Sequence, residues 1–433
     1  MSPSRLVWPL LCLGSCAQHA GLAAEPRSLS LEGALQAALS NHPILVMAEL
    51  DVESAVVRVR QARSVRSPQI DAGGLAKRGL SGSANMFGLN GLAASPDPED
   101  MAFSGNVLQD LLDFKRSRFE TEARRAEVEY FEETLRAEEA ALVLMVTEAY
   151  YSILKALQQA RLAERAVAES ELSVRRAASL LRAQLGSGLD VQRAEHRAAR
   201  AALNRAKAGE ALEQAHARLA EAMGTEAGRQ FSLAEPERSP VQPGPPEPLV
   251  ADALESRPEL AAVDARIRAA EAWVRRAERE RYPRIMAMFS GGWTRFAERT
   301  LSQLLFGGFG IQLPIFTGGR IEAGIQQARL ALEKTRAVRE ELGRAVQLQV
   351  IEARSDAVTA LEAVRAARTG VEQARSAERL ADARHRNLLA DALEVEAART
   401  ALAAAASERN RARYDYEIAS ARLAFATGSG TSR

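Results

Sequence analysis

The sequence predicts a mainly helical fold with a small β part, built twice in tandem, and three observations carry that expectation. Residues 114–224 read as one very long helix, a short turn and a returning helix, and the pattern recurs over 316–428. A single offset of 204 residues maps Gly224 onto Gly428, Val146-Thr147-Glu148-Ala149 onto Val350-Ile351-Glu352-Ala353, and Leu189-Asp190-Val191 onto Leu393-Glu394-Val395. An offset held without a gap over about a hundred residues is the mark of internal duplication. Each hairpin is also preceded by two short, glycine-containing apolar runs that read as strands.

A chain of 433 residues, 47% hydrophobic and 26% charged, is long enough for a sizeable fold. Its net charge of +1 provides no general attraction for nucleic acid or acidic partners. The dense, interleaved Arg and Glu read as solvated helix surface. The two cysteines, Cys12 and Cys16, lie in the first 16 residues, so no disulfide framework or cysteine zinc site can form downstream. Arg5 followed by the apolar run 6–13 reads as a secretory signal, too short for a mature membrane span. Two endings fit: small-residue cleavage at Gly21-Leu22-Ala23-Ala24, giving a signal over 1–24, or a lipobox-like Leu13-Gly14-Ser15-Cys16, giving 1–15 with Cys16 lipidated. Beyond residue 24 no apolar run reaches about 18 residues, so no transmembrane helix is expected.

The first repeat spans 25–224. A helix over 31–40 is stopped at Asn41-His42-Pro43, because the residue before proline is pushed out of helical space. A second helix covers 44–66 and ends before Pro68. Strands follow at about 68–82 and 102–112, joined by a turn-rich loop over 83–101. Asp113 is placed as the N-cap of the long helix. That helix reaches about Leu185, some 72 residues or roughly 108 Å. Its apolar stripe, Leu142, Val146, Ala149, Ile153 and Leu157, is matched by Val346, Val350, Ala353, Ala357 and Leu361. Gly186-Ser187-Gly188 turns the chain, and so short a connection makes the two helices antiparallel neighbours. The return helix, 189–223, covers only half of its partner. The 44–66 helix has the length to stack above it and cover the rest.

The proline-rich stretch 225–249 is expected to be an extended connector. The second repeat, 250–428, restarts with Ser256-Arg257-Pro258, and here Pro43 and Pro68 map onto Pro258 and Pro283 with an offset of 215. The later drop to 204 shortens the strand–strand loop near 297–302. Strands are expected at about 284–296 and 303–315, with Thr317 in the capping place. The second long helix runs to about Leu388, turns at Leu389-Ala390-Asp391 and returns over 393–425. Residues 429–433 form a polar tail expected to be disordered.

Strands of 10–13 residues are close to what tilted membrane strands require. Four strands cannot close a barrel, and unpaired edges are prohibitively costly in lipid. Closed barrels start at about eight strands, so the chain needs further copies of itself: two give 8 and three give 12. Gly73, Gly74, Gly291, Gly292, Gly307, Gly308 and Gly310 suit a curved wall. Trp293 and Phe296 fit either an interface belt or ordinary packing at a bend.

Catalytic or metal chemistry finds no foothold. The five histidines are not paired at ligand spacing, and Glu195-His196 reads as a surface pair. The glycine clusters lack the lysine and the strand–loop–helix setting of phosphate loops. No nucleophile, base and orienting group stand together. No enzyme activity, metal or cofactor is expected.

The ordered set of signal, proline-stopped helix, strand pair and long hairpin, followed by the whole unit again, resembles the bacterial outer-membrane factor family, the TolC-like efflux proteins. Leu313-Pro314-Ile315-Phe316-Thr317-Gly318-Gly319-Arg320 closely matches that family's strand-to-helix junction, whereas Leu111-Leu112-Asp113-Phe114-Lys115-Arg116 lacks the paired glycines. The resemblance covers about residues 29–428. It implies a homotrimer whose twelve strands form one α/β-barrel wall in outer-membrane lipid, with the helices forming a periplasmic tunnel. It implies a passive duct that docks on a periplasmic adaptor linked to an inner-membrane pump. The docking tips would be Leu185, Gly186, Ser187 and Gly188 in one hairpin and Leu389, Ala390 and Asp391 in the other. The family's acidic aperture ring falls best on Glu394, with Asp190 at the same place in the first repeat; a further acidic position falls near Ala397, which is not acidic. A carboxylate ring at a constriction favours cations, although an acid in a first helical turn is also favourable against the macrodipole by about 0.3–1 kcal/mol. The rivals are a periplasmic adaptor, which should carry one hairpin in a β-rich body, and a soluble coiled-coil scaffold, which would need neither signal nor strands. Nothing in the residues selects drugs, metals or secreted proteins as cargo.

Overall fold

The computed structural model describes residues 29–78, 99–226, 228, 231–235, 240–296, 300–387, 389 and 392–429. The signal region with Cys16, most of the 83–101 loop, residues 297–299, Ala390, Asp391 and the tail from 430 lie outside the described residues. The first repeat runs α1 Leu31–Asn41, α2 Pro43–Ser64, β1 Gln69–Arg78, β2 Glu99–Leu112, α3 Arg116–Arg182 and α4 Gly188–Ala222. The second runs α5 Pro246–Ser256, α6 Pro258–Glu278, β3 Arg284–Phe296, β4 Thr300–Gln312, α7 Arg320–Arg386 and α8 Ala392–Ala426, with a 3₁₀ turn at Arg279–Arg281 after α6. The strands form one antiparallel sheet in chain order, so β2 and β3 join the two repeats.

The α1–α2 corner follows from its residues. Ser30 caps α1 by accepting from the Gly33 N–H at 3.1 Å. His42 is driven to extended backbone by Pro43, and its Nδ1 caps α2 by accepting from the Ile44 N–H at 3.2 Å. In the second repeat the same corner position is Arg257, which is buried. Burying a guanidinium requires partners: it pairs with Glu259 at 2.8 Å, donates to Gln349 and lies 5.0 Å from the Phe425 ring centre.

α3 and α7 are each 67 residues long, about 100 Å. α3 stops at Arg182 rather than Leu185, because Gln184 turns left-handed (φ 60). Two expected caps are corrected. Asp113 caps α3 from outside the helix, its carboxylate accepting from the Lys115 N–H at 3.1 Å and the Ser117 N–H at 2.7 Å, while left-handed Lys115 (φ 71) occupies the N-cap place. Thr317 is displaced as N-cap of α7 by left-handed Gly319 (φ 82), which carries no side-chain cap. α3 contains one 18-residue window of mean hydropathy 1.4, and half of it is buried inside the protein. Such a window is what the core face of a packed helix produces.

That core gathers Leu142, Val146 and Ile153 of α3, Leu219 of α4, Leu31 and Ala34 of α1, and Tyr414 of α8. A smaller core joins Val346, Val350 and Ala353 of α7 to Ala253, Leu260 and Ala426. Each large side chain so buried contributes about 1.5–3 kcal/mol of transfer free energy. α4 and α2 pack on α3, as do α8 and α6 of the second repeat. The join between α4 and α2 is made by Gly224, left-handed at φ 65, where a Cβ would lie 3.2 Å from the His42 Cα. Gly428, at φ 73, meets Ser256 and Arg257 in the same way.

Where it is described, the connector 225–249 is docked on the helices rather than free of them. Its last four residues already belong to α5. Leu233 forms a parallel bridge with Leu29, and the Tyr150 hydroxyl donates to the carbonyls of both Leu29 and Ala234. Tyr414 donates to Glu235 at 2.9 Å, Tyr416 donates to the Val241 carbonyl at 2.6 Å, and Arg354 donates to the Gly244 carbonyl at 2.7 Å.

Candidate functional site

The sheet and the hairpin tips are the two ends of the long helices, and each has a distinct chemistry. In the sheet, register places Ile70 beside Val107, Val107 beside Phe289, Phe103 beside Trp293, Ala287 beside Phe309, and Ile285 beside Ile311. Side chains alternate along a strand, so these residues share one face. That face is apolar and open: Phe309 is 79% exposed and Ile311 72%. The opposite face carries a polar ladder across three strands. Asn106 donates to Asp71 at 3.1 Å, Ser290 donates to Asn106 at 2.6 Å, and Arg284 pairs with Asp110 at 2.6 Å nearer the helices. The first face suits lipid; the second is mixed, its polar ladder suited to water standing beside exposed Leu108, Met288 and Phe306. The ladder is a feature that reading the strands singly missed; the period-two alternation of Asp71, Asn106 and Ser290 with apolar neighbours was its signal.

Gly292 has a function of its own in this wall. A Cβ there would collide with the Phe103 carbonyl oxygen, so only glycine lets β3 approach β2. The outer edges of β1 and β4 have no partner strand among the described residues. In lipid such edges must be paired.

At the first tip, the Leu185 N–H closes α3 by donating to the Leu180 carbonyl at 2.9 Å. Ser187 begins α4 with a capping box. The Asp190 N–H donates to Ser187 Oγ at 3.3 Å, and the Ser187 N–H donates back to the Asp190 carboxylate at 3.1 Å. The Ser187 hydroxyl also donates to that carboxylate, at 2.8 Å. These Ser187 bonds, the side-chain one foremost, hold the fully exposed Asp190 carboxyl below its ordinary range. Gly186 sits tightly, since a Cβ there would lie only 3.1 Å from the Leu180 Cβ, whereas Gly188 is open. Leu185 and Leu189 are exposed beside them.

At the second tip, Asn387 ends α7 and the Leu389 N–H donates to the Arg384 carbonyl at 2.8 Å. Leu389 is exposed, like Leu185. Glu394 lies in the first turn of α8 and pairs with Arg384 at 2.8 Å. Ala390 and Asp391 lie outside the described residues. Asp190 and Glu394 therefore occupy equivalent places with different partners, a serine cap in one case and an arginine in the other. Arg384 was missed in the sequence because its counterpart in the first repeat is Leu180. No group of three or more metal-ligating side chains occurs among the described residues.

The family model described as "Outer membrane efflux protein" matches residues 34–225 and 249–429. Outer membrane protein OprJ of Pseudomonas aeruginosa is 29% identical over 303 residues, which cover 67% of this chain and 61% of OprJ. The chain therefore spans about three fifths of the length of the curated relative it matches. Among solved structures, the Campylobacter jejuni CmeC outer membrane channel superposes with a TM-score of 0.77 at 16% identity, covering 92% of this chain and 86% of CmeC. The outer membrane protein VceC of Vibrio cholerae superposes with a TM-score of 0.73 at 19% identity, covering 92% and 96%. At those identities the likeness shows the fold, which is TolC-like, while the family model matches both repeats. The chain belongs to the outer membrane efflux protein family.

Proposed function

We propose that this chain is the outer-membrane channel component of a tripartite efflux or export system, a passive duct for cargo delivered by an inner-membrane pump through a periplasmic adaptor. The observation that carries this reading is a four-stranded sheet with one apolar face, one face bearing a polar ladder and two open edges, continuous with two helical hairpins about 100 Å long. Three copies would supply twelve strands, above the roughly eight needed to close a barrel. The duct performs no chemistry of its own and needs no cofactor. An adaptor would carry one hairpin in a β-rich body, which the tandem hairpins do not fit. Recovery in the outer-membrane fraction as a heat-modifiable trimer is the expected result. Recovery in the soluble periplasm, with no such trimer, overturns the reading.

The tips have two tasks in this reading. Leu185, Gly186, Ser187 and Gly188, with Leu389, Ala390 and Asp391, meet the adaptor, and the exposed leucines provide apolar contact. Asp190 and Glu394 each form a three-fold carboxylate ring at the aperture, favouring cations. Arg384 restrains Glu394, so opening would accompany release of that pair. Single-channel conductance of Glu394→Gln and Asp190→Asn tests this. Loss of cation selectivity is expected; unchanged conductance and selectivity in both variants would leave the two acids as helix-start residues.

A further inference from the structure

The two repeats meet in one direction only. β3 pairs with β2, and α6 and α8 both pack on α3, so the second repeat lays its first strand, stacking helix and return helix on one flank of the first. The counterparts of β3, α6 and α8 are β1, α2 and α4, and the counterparts of β2 and α3 are β4 and α7. Those two flanks do not face each other within one chain.

Among the polar contacts between α8 and α3 are two ion pairs and a hydrogen bond from Tyr151. Arg422 pairs with Glu148 at 2.6 Å, Lys155 pairs with Asp415, and the Tyr151 hydroxyl donates to Glu417 at 3.5 Å. The 204-residue offset maps Ala421-Arg422-Leu423-Ala424 onto the identical Ala217-Arg218-Leu219-Ala220, and Glu148 onto Glu352. The second contact maps onto Thr359 and Ala211, which cannot form an ion pair. The third maps onto Ser355 and Glu213, where the hydroxyl has lost the reach of the phenol ring. Of the two ion pairs, one survives duplication with both charges intact. Arg218 and Glu352 are exposed, and neither side chain has an ion-pair or hydrogen-bond partner among the described residues.

We infer that Arg218 of one copy pairs with Glu352 of the adjacent copy, reproducing between chains the Arg422–Glu148 contact within the chain. The occupant of the open α7 flank is therefore the α4 face of a second copy, in the same orientation that α8 takes on α3. This rests on the ring of copies proposed above. It adds the register in which they meet and identifies the junction between copies as the less strongly paired of the two kinds.

The test is site-directed cross-linking in the full-length protein in its native membrane. The double variant Arg218→Cys with Glu352→Cys, treated with a short bismaleimide, is expected to give cross-linked dimer and trimer. Either single variant should give none above background, and Glu148→Cys with Arg422→Cys should cross-link within one chain. If an amine-reactive reagent links copies but the double-cysteine variant links no more than the singles, the pairing is overturned while the ring stands. If no reagent links copies, the ring itself falls. Charge reversal provides a second readout. Arg218→Glu and Glu352→Arg should each reduce the heat-modifiable trimer severalfold, and combining them should restore it; no recovery in the combination also overturns the pairing.

Discussion

Glycines in this wall are not interchangeable, because what a methyl group would meet differs from one to the next. At Gly292 the obstacle is backbone, the Phe103 carbonyl oxygen, which cannot yield without breaking the β2–β3 ladder. At Gly310 a Cβ would meet only the Met286 and Met288 side chains, at 3.4 Å or more, and thioether chains adapt readily. Gly292→Ala is therefore expected to cost about 3 kcal/mol or more, the upper end for overpacking, and to abolish assembled protein. Gly310→Ala should stay within about 1 kcal/mol. The yield of heat-modifiable oligomer from the two variants measures the contrast. At the tip, the lowered Asp190 carboxyl gives a sign that can be checked. A carboxyl lowered on folding stabilises the cap above its unfolded value and loses that contribution as pH falls through the folded one. Amide protection across 187–192 should therefore hold at neutral pH and fade in acid. In Asp190→Ala it should be weak throughout and change little with pH; an unchanged wild-type profile in that variant would deny the capping box its role.

Elements came through the sequence unevenly, for physical reasons. The hairpins were legible because an apolar stripe repeated over tens of residues accumulates signal, as Val146 with Val350 and Leu157 with Leu361 do. The Asn41-His42-Pro43 corner was legible because proline acts locally. Long-range partners were not: nothing local in Arg384 or Glu394 says that they pair, and the Gly224 contact with His42 joins positions far apart in the chain. The connector shows this most clearly. Its prolines read as an extended spacer, but the groups that dock it, Tyr150, Tyr414, Tyr416 and Arg354, sit on helices far along the sequence. Tyr414→Phe and Tyr416→Phe should each cost about 1 kcal/mol and should speed proteolysis within 225–249. Burial first, then the bond and charge of Glu235, push the Tyr414 hydroxyl up to about 12. Its contribution should be complete below the unfolded phenol value of about 10 and disappear as pH rises through about 12. Equal cleavage rates in wild type and both phenylalanine variants would mean that the tyrosines do not hold the connector.

At the scale of the whole molecule, a single chain is an incomplete object. Among the described residues its sheet has two open edges, its apolar face is exposed, and α7 has a flank that the other repeat shows how to cover. In the proposed assembly those three deficiencies would be met together by lipid on one side and further copies at the edges. The faces of the wall then permit a test that neither fold nor stability alone would pass. Met288 and Phe289 are neighbours on β3 and point to opposite faces, paired with Gly308 and Gly307 respectively. Both are exposed in the chain, so a long side chain has room at either position. A lysine on the lipid face of a barrel costs about 2–4 kcal/mol near the midplane, while one on the water face is tolerated. Phe289→Lys is therefore expected to lose outer-membrane insertion and the heat-modifiable trimer, and Met288→Lys to keep both and to alter ion selectivity through the added charge. If both variants insert equally well, the Phe289 face does not meet lipid. If Met288→Lys fails and Phe289→Lys succeeds, the wall is inside out relative to the assignment made from its polar ladder.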